Sequence, residues 1–347
     1  GEGIDTIDGI EYADADSSTD SLSFLSLANT WNNWSVGVYR HQAANFETFY
    51  RSQGPILGDF PTPRRRLPRE IDVDLEVVNW GASVAYRLTE NFSLGVGLSY
   101  YDFDFYSTNK RFPVSSATAP PDYTVEPRFT EFQTGSDNDT GINVGALWKI
   151  NSQFSLGFSY RQGPEFDYDY QVVATNPAED RGIAGTTNFT LPDSIGVGLS
   201  YKPTEALTIN FDYVRVTYSD ISDGIILRAT GESTDLVQID DGDEFRLGAE
   251  YVFLTGNSTP IALRAGVWRA PGTVLEYVGP VVEPDPENPD FGDLVLSSLA
   301  VYSRPNNEET HFSIGGGIVF ERFQLDIAAD FADSEDTLSV AGIFFFR

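Results

Sequence analysis

No cysteine occurs among the 347 residues. That excludes a disulfide framework, a thiolate zinc site and a thiol nucleophile. Methionine is absent too, and no physical argument accounts for it. Histidine is limited to His41 and His311. Basic residues are scarce: 22 Lys and Arg against 52 Asp and Glu leave a net charge of -30. A surface this acidic excludes nucleic acid as a partner, since phosphate binding needs a basic face. No apolar run approaches the roughly 20 residues of a membrane-spanning helix. Insertion by helices is thereby excluded, while insertion by strands is not. The chain also has no nucleotide-binding loop, so any transport it performs is passive.

What the chain does contain is alternation. Leu207, Ile209, Phe211 and Tyr213 share one face of a segment, with Thr208, Asn210 and Asp212 on the other. Phe323, Leu325, Ile327 and Ala329 alternate with Gln324, Asp326, Ala328 and Asp330. Thirteen such segments read as strands: 20–29, 33–50, 71–88, 91–106, 140–150, 153–170, 193–202, 205–219, 243–254, 259–270, 310–320, 322–332 and 336–346. Short connections alternate with the long ones 51–70, 107–139, 171–192, 220–242 and 271–309. This is the pattern of an all-β, antiparallel transmembrane β-barrel with lipid on one face of each strand and a lumen on the other. A mean hydropathy of -0.23 suits it, since only every second strand residue meets lipid. The orientation follows: short turns in the periplasm, long loops outside.

Aromatic residues flank the short turns, among them Trp31, Trp34, Tyr86, Phe92, Trp148, Phe154, Tyr251, Phe253, Phe320 and Phe323. They read as the periplasmic girdle. Phe103, Phe105, Phe166, Tyr168, Tyr170, Tyr213 and Tyr218 lie at the opposite strand ends and read as the outer one. A bacterial barrel has an even strand number and both termini in the periplasm. The first segment, 20–29, runs downward, so residues 1–19 are expected outside and one upward strand before them. Fourteen strands are therefore expected, thirteen of them visible. No signal peptide opens the chain at Gly1-Glu2-Gly3-Ile4-Asp5, and an exported barrel implies one removed or missing.

The stretch Leu191-Pro192-Asp193-Ser194-Ile195-Gly196-Val197-Gly198-Leu199-Ser200-Tyr201-Lys202-Pro203 resembles a pattern of the FadL-type outer-membrane transporters of hydrophobic compounds. So do Asp243-Glu244-Phe245-Arg246-Leu247-Gly248-Ala249-Glu250-Tyr251, Arg264-Ala265-Gly266-Val267 and His311-Phe312-Ser313-Ile314-Gly315-Gly316-Gly317. The resemblance implies fourteen strands, passage of long-chain fatty acids or other apolar molecules, and an N-terminal hatch ending near an Asn-Pro-Ala. Residues 1–347 then form a single barrel domain lacking that hatch and the first strand. Asn176-Pro177-Ala178 has the letters but falls in an outer loop, so the hatch role is not carried over.

Several constellations bear on chemistry. Asp212, Arg246, Glu250, Arg264, Asp326 and Asp330 are inward by parity. They read as an ion network bracing the lumen, with Arg246 or Arg264 as alternative partners of a ligand carboxylate. In 33–50, Trp34, Val36 and Val38 set an outward register that puts Arg40 in lipid, and alternation then fails through His41, Gln42, Ala43, Ala44, Asn45 and Phe46. A bulge is expected there. At this strand the family resemblance implies a sideways opening, with Arg40, His41, Ala43, Ala44 and Asn45 as its candidate residues. Arg64, Arg65, Arg66 and Arg69 form the one basic cluster, suited to lipopolysaccharide phosphates or to solvent alone. Asp137-Asn138-Asp139-Thr140-Gly141 does not match the spacing of a calcium loop. His311 beside Thr310, without a distinctive serine motif, does not make a hydrolase.

The expectation is a cofactor-free, non-enzymatic barrel in the Gram-negative outer membrane that passes hydrophobic small molecules and contacts outer-membrane lipid and lipopolysaccharide. The alternatives are a structural or partner-docking barrel and a water-filled porin.

Overall fold

A period of two puts one set of side chains on each face of a pleated strand, and such strands dominate the computed structural model. It describes residues 2–7, 10–18, 22–54, 56–57, 64–65, 67–113, 121–174, 183–224, 226–227, 232–233, 237–255, 259–273, 276–278, 308–333 and 336–346. Seventeen strands make one sheet. They are β1 (Glu2–Ile7), β2 (Ile10–Ser18), β3 (Phe24–Trp31), β4 (Trp34–Ser52), β5 (Arg69–Arg87), β6 (Phe92–Arg111), β7 (Phe129–Lys149), β8 (Phe154–Arg161) and β9 (Glu165–Ala174), followed by β10 (Ile183–Thr190), β11 (Ser194–Tyr201), β12 (Leu207–Val216), β13 (Gly242–Leu254), β14 (Pro260–Ala270), β15 (Glu309–Val319), β16 (Phe323–Phe331) and β17 (Thr337–Phe344).

Every pairing is antiparallel. β2 and β3 both run along β4, at Ser18↔Glu47 and Phe24↔His41, so they are two pieces of one descending strand. β8 and β9 likewise share β7, and β10 and β11 continue one another beside them. The segments thus occupy fourteen positions round the wall. The first of these is only the short β1, hydrogen-bonded to β2. Among the described residues β3 and β17 each pair on one side only, β3 with β4 and β17 with β16. Both are exposed on both faces.

The tight turns after β3, β5, β7, β11, β13 and β15 lie at one end and the long connections at the other. The elements depart from the expected ones in three ways, the first being that 153–170, expected as one strand, is broken at 162–164 into β8 and β9. Residues 1–19, expected as loop, contain the β1–β2 hairpin. β4–β7 also outrun their expected bounds: β7 starts at Phe129, inside an expected loop, and β10 stands within another. Asn176-Pro177-Ala178 and Arg66 lie outside the described residues.

Outward side chains mark the membrane. On β6 these are Leu94, Val96, Leu98 and Tyr100, all exposed, and then Asp102 and Asp104. Tyr100 pairs with Trp80, which pairs with Arg40. Beyond Trp80 the outward residues of β5 are Val78 and then Glu76, Asp74 and Asp72. From Phe92 to Tyr100 is about 27 Å along the strand, or about 20 Å of height at a tilt near 40°, close to the apolar band of a membrane barrel. Trp80 and Tyr100 therefore belong to the outer interface.

That corrects the outer girdle read from sequence. Phe103 and Phe166 are 0% exposed, with Val77 and Tyr101 in the same core, and Tyr168, Phe105 and Phe189 pack around them. They sit on the inner side of the wall beyond the lipid band. Phe103 stacks on Phe166 with centroids 4.7 Å apart. Odd-numbered parity on β6, opposite to Tyr100, is the reason: aromatic clustering near a strand end does not say which face it occupies.

Candidate functional site

The wall is interrupted at one level, just outside the lipid band. β4 carries a one-residue bulge: Gln42 opposes Val78, Ala44 opposes Val77, and Ala43 has no counterpart. On the other side of β4, β3 reaches only to His41 and β2 begins again at Glu47. Gln42 N–H still bonds the Ser23 carbonyl at 2.9 Å. Residues 43–46 thus have no strand partner on that edge among the described residues.

The bulge reverses facing. His41 and Ala44 both point inward, and Ala43 and Ala44 pack against the Val77–Phe103 core. Arg40 stays on the outward side, as parity requires. Its cost in lipid is small for two reasons. It lies in the interface row with Trp80, where the penalty for a charge falls to about 0–1 kcal/mol. Its Nη1 also donates to the Leu22 carbonyl at 2.6 Å.

Across the wall the same level is broken twice more, at 162–164 and 191–193. Here the Leu191-Pro192-Asp193 motif has a visible task. Asp193 Oδ1 accepts Gly163 N–H at 2.8 Å and Oδ2 accepts the Tyr160 hydroxyl at 2.6 Å. Leu191 N–H bonds the Pro164 carbonyl at 3.0 Å. Asp139 and Asp137, weighed above as calcium ligands, accept the backbone N–H groups of Glu165 and Asp167 at 2.9 Å each. Carboxylates thus replace the backbone ladder where it fails.

The lumen charges fall into two groups. Arg264 donates Nε to Glu250 at 2.7 Å and Nη1 to Asp326 at 2.6 Å. A recess of about 400 Å³ lies beside them, floored by Gly248, Gly266 and Ser313. Arg246 was expected with Glu250 and Arg264 but belongs to the next inward row. It pairs with Glu244 and lies over the Trp268 ring, 5.4 Å from its centroid. Cross-strand register decides this, because Arg246 opposes Trp268 while Glu250 opposes Arg264. Trp268 stacks on His311 at 3.8 Å and donates to Asp330 at 3.3 Å. His311 Nδ1 contacts Asp330 Oδ2 at 2.7 Å. The imidazole is therefore held by a carboxylate and a ring. Asp212 lies over Gly198, its Oδ1 only 2.3 Å from where a Cβ there would stand.

The arginine cluster is split. Arg64 and Arg65 form a two-residue strand opposite Ile56–Leu57, while Arg69 opens β5 opposite Ser52 and Arg111. Sequence reading missed Asn79, Tyr101 and Arg161. All three face inward at the broken level, and their parity was available from Trp80, Tyr100 and Tyr160.

Removing the central guanidinium leaves Glu250 and Asp326 without their shared partner. Arg264→Met is expected to lower folding stability by about 1–2 kcal/mol, discounted because these side chains are about a third exposed or less. Urea unfolding in lipid vesicles measures it. Adding Glu250→Gln and Asp326→Asn should restore most of the loss.

No curated protein matches the chain by sequence. Solved structures share its fold. The CymD monoaromatic hydrocarbon channel is 17% identical with a TM-score of 0.56, over 97% of this chain and 86% of that one. A Pseudomonas aeruginosa FadL homologue is 13% identical, TM-score 0.58, over 92% and 74%. The Ralstonia pickettii toluene transporter TbuX is 13% identical, TM-score 0.55, over 96% and 85%. The family described as outer membrane protein transport protein (OMPP1/FadL/TodX) matches residues 69–273, from the start of β5 past the end of β14. The match spans more than half of the chain, and the chain belongs to this family of Gram-negative outer-membrane transport barrels.

Proposed function

We propose that the chain carries apolar molecules, fatty acids among them, passively across the outer membrane and releases them sideways through the break at 42–46. The carrying observation is that break: a bulge at Ala43 with β2 and β3 parted on its free edge. Among the described residues the two other breaks at this level, 162–164 and 191–193, are tied by Asp193, Asp137 and Asp139, and β3 and β17 each have one unpaired edge. A bonded wall gives no low-cost passage to lipid. The break lies beside the inward aromatic core, just beyond the interface row of Arg40, Trp80 and Tyr100. The lumen ion pairs brace the opposite side of the wall.

Ala43 and Ala44 pack on the core, so bulk added there would disturb folding as well as passage. Asn45 faces outward opposite Glu76 and is the better plug. Asn45→Trp is expected to slow uptake of a radiolabelled long-chain fatty acid by cells that depend on this protein, with the barrel still assembling. Unchanged uptake would count against the sideways route. Uptake no faster than in cells without the protein would sink the transport reading. Vesicle swelling in small sugars would point to a porin instead.

A further inference from the structure

The wall does not stop at the outer interface. From Tyr100 to Thr108 is about 27 Å along β6, or about 20 Å of height at a tilt near 40°. β4–β7 stay hydrogen-bonded to one another over that rise. Nearest the interface its outward side is acidic, with Glu76 on β5 and Asp102 and Asp104 on β6. Higher up, rings return. Tyr106 opposes Asp74, and one row above them Phe49, Asp72, Thr108 and Phe132 stand in line across the four strands. Phe49 is 37% exposed, Phe132 39% and Tyr106 48%. Their parity is that of Tyr100, so they face away from the lumen and from the Val77–Phe103 core. In the next row Arg51 and Lys110 share Glu70, and the Arg51 guanidinium lies 5.3 Å from the Phe49 centroid. Asp72 and Asp74 are exposed and make no hydrogen bond or ion pair with any described residue.

Rings on an outward face have a cause at the membrane interface, where they settle between hydrocarbon and water. About 20 Å higher there is no hydrocarbon. The outer leaflet of a Gram-negative outer membrane puts sugar at that height, because lipopolysaccharide carries its saccharide chain outward from the acyl region. We infer that the outward face of β4–β7 above the interface docks the saccharide chain of lipopolysaccharide, with Phe49, Tyr106 and Phe132 against sugar rings and Asp72 and Asp74 accepting sugar hydroxyls. A pyranose presents a face of C–H groups, which the negative face of an aromatic ring attracts. Its hydroxyls, at the ring edge, donate to carboxylates. The surface continues the lipid-facing band, so one lipopolysaccharide molecule lies with its acyl chains on Val96 and Leu98 and its sugars on this face. The carboxylates also set which sugars fit: they repel phosphate, so the contact is with uncharged ones. Arg69, expected from sequence among the lipopolysaccharide contacts, shares its row with Ser52 and Arg111 on the opposite, inner side. The inference stands apart from the transport reading.

The probe is the core oligosaccharide cleaved from lipopolysaccharide and dephosphorylated. It is titrated by calorimetry into the protein in phospholipid nanodiscs, with empty discs subtracted. Saturable binding is expected. Tyr106→Ser with Phe132→Ser should weaken it about tenfold, the order for losing two ring contacts. Tyr50→Ser, on the inner side of the same wall, should leave it within about twofold. In the unaltered protein, bound oligosaccharide should shield Tyr106 and Phe132 from hydroxyl-radical oxidation and spare Tyr50; this measurement decides should the double variant not assemble. No saturable binding, binding that survives the double variant, or shielding of Tyr50 without Tyr106 overturns the inference. Tighter binding of the phosphorylated oligosaccharide overturns it as well, since basic side chains would then be the contact. So does a double variant that alters sedimentation but not sugar binding, which would make the face a contact between copies of the chain.

Discussion

Phe103→Ala is expected to destabilise the folded barrel by about 3–5 kcal/mol, the range for truncating a buried phenylalanine. Phe103 is 0% exposed and touches three rings: Phe166 stacked at 4.7 Å, Phe189 at 5.9 Å and Phe105 at 6.1 Å. The cavity it leaves is walled by strand residues that cannot collapse without shifting the ladder. Urea unfolding in vesicles reads the loss. The same truncation at Leu98, which faces lipid and is 59% exposed, should cost far less, because lipid refills the space. Equal costs at the two positions would mean that the aromatic group is not a folded core. The contrast also separates a packed inner core from a girdle, which was the reading the sequence invited.

Gly163→Ala is expected to be the most damaging added methyl group among the described glycines. A Cβ at 163 would stand 1.7 Å from the Leu191 carbonyl oxygen and 2.6 Å from its carbon. Those are backbone atoms and cannot rotate away. Relief requires separating 162–164 from 191–193, which strains the Gly163–Asp193 and Leu191–Pro164 bonds. Overpacking of this kind costs about 1–3 kcal/mol, and more where backbone must move. The readout is the fraction of protein that reaches the compact, heat-modifiable form on refolding, together with its unfolding midpoint. Gly157→Ala is the control, since a Cβ there meets only ordinary contact, 3.9 Å from the Gly198 carbonyl. A loss at 163 no greater than at 157 would show that the two breaks are not clamped together.

Much of the wall was legible in the sequence because alternation is a local property. Leu207 to Tyr213 and Phe323 to Ala329 declare their two faces without reference to any neighbour. Turn lengths declare orientation in the same way. The bulge could be located too: an outward register that reaches Arg40 cannot continue through Ala43 and Ala44. The Glu250–Arg264–Asp326 cluster was partly readable, since inward parity on three strands placed all three charges in the lumen.

Pairing register was not readable, and it decided the rest. Register put Arg246 opposite Trp268 rather than beside Glu250, and joined Trp268 to His311 on the next strand. The bracing role of Asp193, Asp137 and Asp139 depends on where two broken strands come to rest against each other, which no run of letters encodes. Burial of Phe103 and Phe166 has the same origin. Their strand positions are local, but their exclusion from water requires β5, β6, β9 and β10 to close over one another. The chain by itself determined the barrel, its orientation and the place where one strand must break. Only the tertiary structure decided which inward charges are spent on each other, because ion pairing depends on distances across strands far apart in sequence.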